Sequence, residues 1–119
     1  MKFKFVNKLV LSAAMLGVLS TSTLANDLVK EGEKVFNTKK LGNCLACHAV
    51  NGKNIKDPGV LGPKLSGLKY WDDKTLYDTV YDIYKARGTK ISAMPAFGTN
   101  GWLSDKEIKA VVAYLRTID

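Results

Sequence analysis

Two cysteines and a histidine stand within five consecutive residues, Cys44-Leu45-Ala46-Cys47-His48. They are the only cysteines and the only histidine among the 119 residues. Cys-x-x-Cys-His is the attachment pattern of haem c, in which each thiol adds to one vinyl group of the porphyrin. The spacing puts both sulfurs on one turn of the backbone, and the imidazole that follows suits iron. Paired thiols have two other common uses. A redox dithiol wants a βαβ neighbourhood, which this sequence does not offer. A structural zinc site wants four ligands, usually Cys and His, and only these three are available. The haem reading leads: Cys44 and Cys47 attach one haem c covalently, and His48 is an axial ligand.

The second axial ligand must come from elsewhere in the chain. Met1 and Met15 lie in an N-terminal leader, which leaves Met94 in the loop Ala93-Met94-Pro95-Ala96-Phe97-Gly98. A lone methionine is ordinarily a core filler. This one precedes proline, downstream of the thiols, with no second histidine to compete. It is the candidate distal ligand, with Lys90 the rival and an open position a third option. Histidine–methionine ligation raises the iron potential and fills both axial positions. No catalytic residue is therefore expected.

The elements that position these groups read as helices. Asn26 or Asp27 would cap a first helix, with Leu28, Val35 and Phe36 on one stripe and Gly32 free for a close crossing. A short second helix, from about Leu41, would carry the thiols. A third follows Asp72 or Asp73, has Leu76, Tyr77, Val80, Ile83 and Tyr84 at helical spacing, and stops near Gly88. A fourth opens on the capping box Ser104 and Glu107, with Ile108, Val111, Val112, Leu115 and Ile118 on its apolar face. Tyr114 lies beside that face, in reach of Gly32 and Phe36. No segment alternates as a strand, so the fold class is all-α, about four helices wrapped around one haem. Residues 51–70, rich in Gly and Pro, form the wall on the His48 side. A carbonyl near Pro63 can accept from the free ring nitrogen of His48 and fix its orientation. Leu61 and Leu65 can pack against the porphyrin.

The N-terminus carries Lys2, Lys4 and Lys8, then an apolar stretch from Leu9 to Leu19, then Thr23-Leu24-Ala25. This is the pattern of a secretory signal cut after Ala25. An uncleaved anchor is the alternative, although the stretch is shorter than the ~18 residues of a membrane span. The expected organisation is a signal peptide over residues 1–25 and one domain over 26–119, located in the periplasm without a stable membrane anchor. The whole chain holds 18 basic and 11 acidic residues, net +7. Without the three leader lysines the charge is +4, mild for a nucleic-acid binder, and no nucleic-acid partner is expected. Lys39, Lys40, Lys53, Lys56 and Lys64 flank the thiol motif. They are either a solvated surface or a basic rim that steers an acidic redox partner.

These motifs together resemble class I cytochrome c over nearly all of residues 26–119. A narrower resemblance is to the SoxX-type monohaem cytochromes, small subunits of SoxAX complexes in thiosulfate-oxidising bacteria. It rests on Gly42 to His48, on Pro58-Gly59 with Gly62-Pro63-Lys64-Leu65, on Met94 to Gly98, and on Leu103 to Leu115. The chain departs where the family often has Asn-Pro and this sequence has Ala86-Arg87-Gly88. The resemblance implies that Cys44 and Cys47 attach the haem and that His48 and Met94 ligate its iron. It also implies a SoxA-type cytochrome partner in an L-cysteine S-thiosulfotransferase. That complex joins thiosulfate oxidatively to a cysteine of the carrier SoxYZ, and the SoxX-type subunit passes the electrons to a small soluble acceptor. The alternative is a free cytochrome c shuttling electrons between respiratory complexes.

Overall fold

The computed structural model describes residues 23–119. The expected leader falls outside them apart from residues 23–25. Four α-helices carry the fold: α1 over residues 23–37, α2 over Asp73–Tyr81, α3 over Ile83–Arg87 and α4 over Asp105–Leu115. Two 3-10 turns, Cys44–Ala46 and Leu68–Tyr70, lie in the long connection between α1 and α2. No β-strand occurs among the described residues. A single parallel bridge pairs Val50 with Leu65.

The scaffold is the crossing of α1 on α4. A Cβ on Gly32 would lie 1.9 Å from the Ala110 carbonyl oxygen and 2.9 Å from Tyr114 Cβ, so only glycine lets the helices meet there. One turn on, Phe36 and Tyr114 meet edge to face with ring centroids 5.3 Å apart. Val35, Phe36, Ile108, Val111 and Ile118 are fully enclosed around this crossing. Each such side chain contributes roughly 1.5–3 kcal/mol by leaving water, so the terminal helices form a stable platform. Leu28, expected on the same stripe, is instead 39% exposed.

The α4 start follows its capping box. Ser104 Oγ accepts from the Glu107 N–H at 3.2 Å, and Glu107 Oε1 accepts from the Ser104 N–H at 2.9 Å. Beyond α4, the Ile118 carbonyl accepts from the Lys69 N–H at 3.0 Å, and Lys69 also pairs with Asp119. The C-terminus is thereby tied to the loop that follows the thiol motif.

Three sequence expectations change. The first helix runs back through residues 23–25, because nothing between Thr23 and Asn26 breaks it. The thiol motif does not lie on an α-helix from Leu41. Asn43 sits in the left-handed region at φ 48°, and a single 3-10 turn follows. The third helix is interrupted at Asp82, whose extended backbone (φ −154°) separates α2 from α3. Its apolar stripe continues across the break, which is why periodicity alone hides it. Asp72 caps α2 by accepting from the Thr75 N–H at 2.8 Å. Gly88, at φ 60°, closes α3 with Lys85 and Arg87 in the last turn, as expected.

Candidate functional site

Between the α1–α4 platform and the loops lies a cavity of about 800 Å³. Cys44, Cys47, His48, Pro63, Leu65 and Met94, all six candidates from the sequence, line it. Helix α4 supplies Val111 and Leu115 to the floor, and α2 and α3 supply Val80 and Ile83. The lining is mainly apolar.

The thiol turn is fixed by backbone bonds in two directions. Inward, the Cys44 carbonyl accepts from the N–H groups of Cys47 (3.1 Å) and His48 (2.9 Å). Outward, the Leu45 carbonyl accepts from Gly59 N–H (2.9 Å) and the Cys47 carbonyl from Gly62 N–H (2.8 Å). A Cβ on Gly59 would sit 1.7 Å from the Ala46 oxygen, so the Gly59 backbone lies directly on the thiol turn. Both cysteines are free thiols. Loss of surrounding water pushes the Cys44 thiol up to about 12, and the neighbouring Cys47 raises it further, against a lowering bond to its own backbone.

His48 is held from two sides. Its Nδ1 lies 2.7 Å from the Pro63 carbonyl oxygen. A carbonyl only accepts, so Nδ1 carries the proton and the lone pair of the neutral ring is on Nε2. A Cβ on Gly62 would lie 2.4 Å from Cε1 and 2.7 Å from Nδ1, so the glycine backbone lies against the imidazole. The Gly-Pro pair is thus a bracket: Gly62 sets the ring's plane and Pro63 its rotation.

Met94 is half-buried and packs against the core. Its N–H donates to Ser92 Oγ at 3.0 Å, and the Ser92 carbonyl accepts from Tyr84 Oη at 3.0 Å. Downstream, Phe97 is buried and meets Trp102 edge to face at 6.3 Å. Lys90, the rival ligand, is exposed and does not line the cavity.

Sequence reasoning missed part of the wall. The Arg87 guanidinium stacks over Trp71 at 5.7 Å, and both line the cavity. Arg87 reads in the sequence only as a helix-terminal charge, and no spacing rule links it to Trp71. Lys39, Lys64 and Arg87 line the cavity and no acidic residue does. A large, mainly apolar space with cations on its walls, two free thiols, a lone-pair imidazole and a thioether fits a haem, whose body is apolar and whose propionates are anionic.

A helical chain folded around such a space defines a c-type cytochrome domain. Residues 27–115 match the family model for "Cytochrome C oxidase, cbb3-type, subunit III", and the chain belongs to this cytochrome family. It is 37% identical over 93 residues to an uncharacterized lipoprotein of Aquifex aeolicus (strain VF5). That match covers 74% of this chain and 44% of the relative, so the chain spans less than half of that protein's length. In three dimensions it resembles a chain of the crystal structure of SoxXA from P. pantotrophus, with a TM-score of 0.64 and 28% identity. The likeness covers 74% of this chain and 79% of that one. The resemblance to SoxX-type class I cytochromes therefore holds in the fold as well as in the motifs. No helix among the described residues is long and apolar enough to cross a membrane.

Proposed function

We propose that this chain is a periplasmic monohaem cytochrome that relays electrons as the SoxX-type subunit of a thiosulfate-oxidising complex. The observation that carries this reading is the convergence of both thiols, the imidazole and the thioether on one cavity. Cys44 and Cys47 would hold the haem covalently, His48 through Nε2 and Met94 through sulfur would be its axial ligands, and Leu65 would pack on its face. The haem supplies a one-electron iron couple, and His/Met ligation sets its potential high. With His48 and Met94 as its two protein ligands, the iron would have no position left for a substrate. Pro63 keeps the proton on Nδ1 and the lone pair on Nε2, and the Gly62 backbone lies against the imidazole.

The subunit reading is favoured over a free shuttle by what stands exposed. Val60 (91%), Leu61 (72%) and Ile91 (88%) project from the loops that carry Pro63 and Met94, and Leu61 also lines the cavity. A shuttle that binds transiently needs a mainly charged rim, whereas a permanent subunit needs apolar contact. The occupant proposed for that contact is a SoxA-type cytochrome, the electrons coming from oxidative coupling of thiosulfate to a SoxYZ cysteine. A small soluble acceptor takes them onward. Export with cleavage after Ala25 belongs to the same proposal.

The experiment is co-purification from the periplasm with a SoxA-type partner, followed by thiosulfate, SoxYZ and acceptor while haem absorbance is recorded. Stoichiometric elution and thiosulfate-dependent reduction are expected, with a mature N-terminus at Asn26. A protein that elutes alone and is reduced equally well by unrelated respiratory donors is a free carrier. Haem that extracts into acid acetone would overturn the covalent role of Cys44 and Cys47.

A further inference from the structure

We propose that Asp82 is a positioning residue that holds the Met94 loop in place, an inference that rests on Met94 being the distal ligand. Asp82 is the one buried charged residue among the described residues, 6% exposed. A buried carboxylate is costly unless its oxygens are hydrogen-bonded. Here they are divided between two tasks. Oδ1 accepts from the N–H groups of Tyr84 (3.1 Å) and Lys85 (3.2 Å), which caps α3. Oδ2 accepts from Thr99 Oγ1 at 2.7 Å. Serine or asparagine would cap a helix equally well, so the cap alone does not call for a buried charge. The second oxygen reaches the far end of the Met94 loop.

The helix break at Asp82 supplies a second hold. In an unbroken helix the Tyr81 carbonyl would accept from the Lys85 N–H. That N–H is taken by Asp82, and the freed Tyr81 carbonyl accepts from Gly98 N–H (2.9 Å) and Thr99 N–H (3.2 Å). A Cβ on Gly98 would lie 2.0 Å from Tyr81 Cδ2, so the loop backbone lies on that ring. At the near end, Tyr84 Oη donates to the Ser92 carbonyl, two residues before Met94. Both flanks of Met94 are therefore tied to residues 81–84. The hydrogen bonds from Thr99 and from the α3 N–H groups also hold the Asp82 carboxyl below the usual carboxylate range, with Lys85 adding to the effect.

Loosening this junction should free Met94 to leave the iron without altering the haem attachment. The probe is added imidazole, which competes with Met94 for the ferric iron and is followed by loss of the sulfur-to-iron charge-transfer band. Three variants of the full haem protein are compared with the native chain. Asp82→Ala should bind imidazole about tenfold more tightly, the scale of a lost hydrogen bond to a charged group. Thr99→Val leaves the α3 cap intact and should shift affinity in the same direction by several-fold. Ser104→Ala removes a cap of α4 that does not touch the loop, and should leave imidazole affinity unchanged while lowering stability. If Asp82→Ala does not fold, Thr99→Val decides. Imidazole affinities for Asp82→Ala and Thr99→Val no tighter than that of Ser104→Ala would overturn the positioning role. A Met94→Ala protein that keeps the charge-transfer band would instead overturn the ligand assignment beneath it.

Discussion

Gly62→Ala offers the most direct probe of the His48 bracket. Gly62 is not among the glycines with positive φ, so its backbone accepts alanine and the cost is purely steric. The new Cβ would lie 2.4 Å from His48 Cε1. Carbon atoms in contact settle at about 3.5 Å, so ring or loop must yield by about 1 Å. Pro63 is the next residue, and the same movement would lengthen the 2.7 Å Nδ1–oxygen contact past hydrogen-bonding range. A hydrogen bond of this kind is worth about 0.5–1.5 kcal/mol net. That bond makes the imidazole a stronger donor and favours ferric iron. If its whole worth falls on the ferric state, the reduction potential rises by about 20–65 mV, at 59 mV per tenfold for one electron. Gly67→Ala is the control. Gly67 has φ 68° and open space around it, so alanine there costs about 1 kcal/mol of backbone strain and should leave the potential alone. The assay is a spectroelectrochemical titration of all three proteins, with the His48 Nδ1 proton followed by NMR. A potential that is unchanged or lowered in Gly62→Ala, or an equal shift in Gly67→Ala, would refute the bracket.

Gly32→Ala should destabilise the fold by about 1–3 kcal/mol, since its Cβ meets backbone that cannot swing away; denaturant titration checks this, and a native midpoint contradicts the crossing. Ser104→Ala should cost about 1 kcal/mol by removing the α4 cap, measured the same way. Stability should fall on both sides of neutrality. Hydrogen bonds hold Asp72, Asp82 and Asp105 below their ordinary range. Their contribution is present above about pH 4 and is lost as the pH drops through the folded values. Donation to Asp105, with burial and the nearby charge adding, raises Tyr77 from 10.0 to about 12. Its contribution is complete below pH 10 and is lost between there and about 12. Tyr77→Phe should shrink the alkaline limb in thermal melts taken across pH and leave the acid limb to the remaining carboxylates.

What could be read from the sequence was what local chemistry or fixed spacing dictates. The Ser104–Glu107 box, Gly88 as helix stop and the Gly32–Phe36–Tyr114 crossing each follow from residue type and period, and each is present. The contact between His48 and Pro63 was also legible, because a ring nitrogen needs a partner and the Gly- and Pro-rich loop after the motif reads as the wall on the His48 side. The break at Asp82 was not. Its stripe runs unbroken from Leu76 to Tyr84, and the side chain of Asp82 competes with the backbone for the Tyr84 and Lys85 N–H groups while its other oxygen accepts from Thr99, a partner seventeen residues away that no local spacing reveals. The turn at Asn43 was missed for the same kind of reason. Asparagine tolerates the left-handed region, but that it adopts it here depends on the Gly42 N–H reaching back to the Val35 carbonyl at 3.0 Å. Arg87 over Trp71 joins residues whose types carry no signal of each other.

The α1–α4 crossing also imposes an order of events. Positions 32 and 110 lie near opposite ends of the chain, and contacts of such sequence separation close late and slowly. Until α4 docks, the cavity lacks the floor made by Val111 and Leu115, and the Cys44–His48 segment is open on that side. The rise of the Cys44 thiol to about 12 comes mainly from lost hydration. In the open chain that thiol keeps its ordinary acidity and is far more reactive, because the thiolate is the attacking form. Loading before closure meets a hydrated, more reactive thiol; loading after closure meets a half-buried one on the cavity wall, held largely in its thiol form. The docking of α4 thus closes the interval in which the Cys44 thiol keeps its hydration and its ordinary acidity.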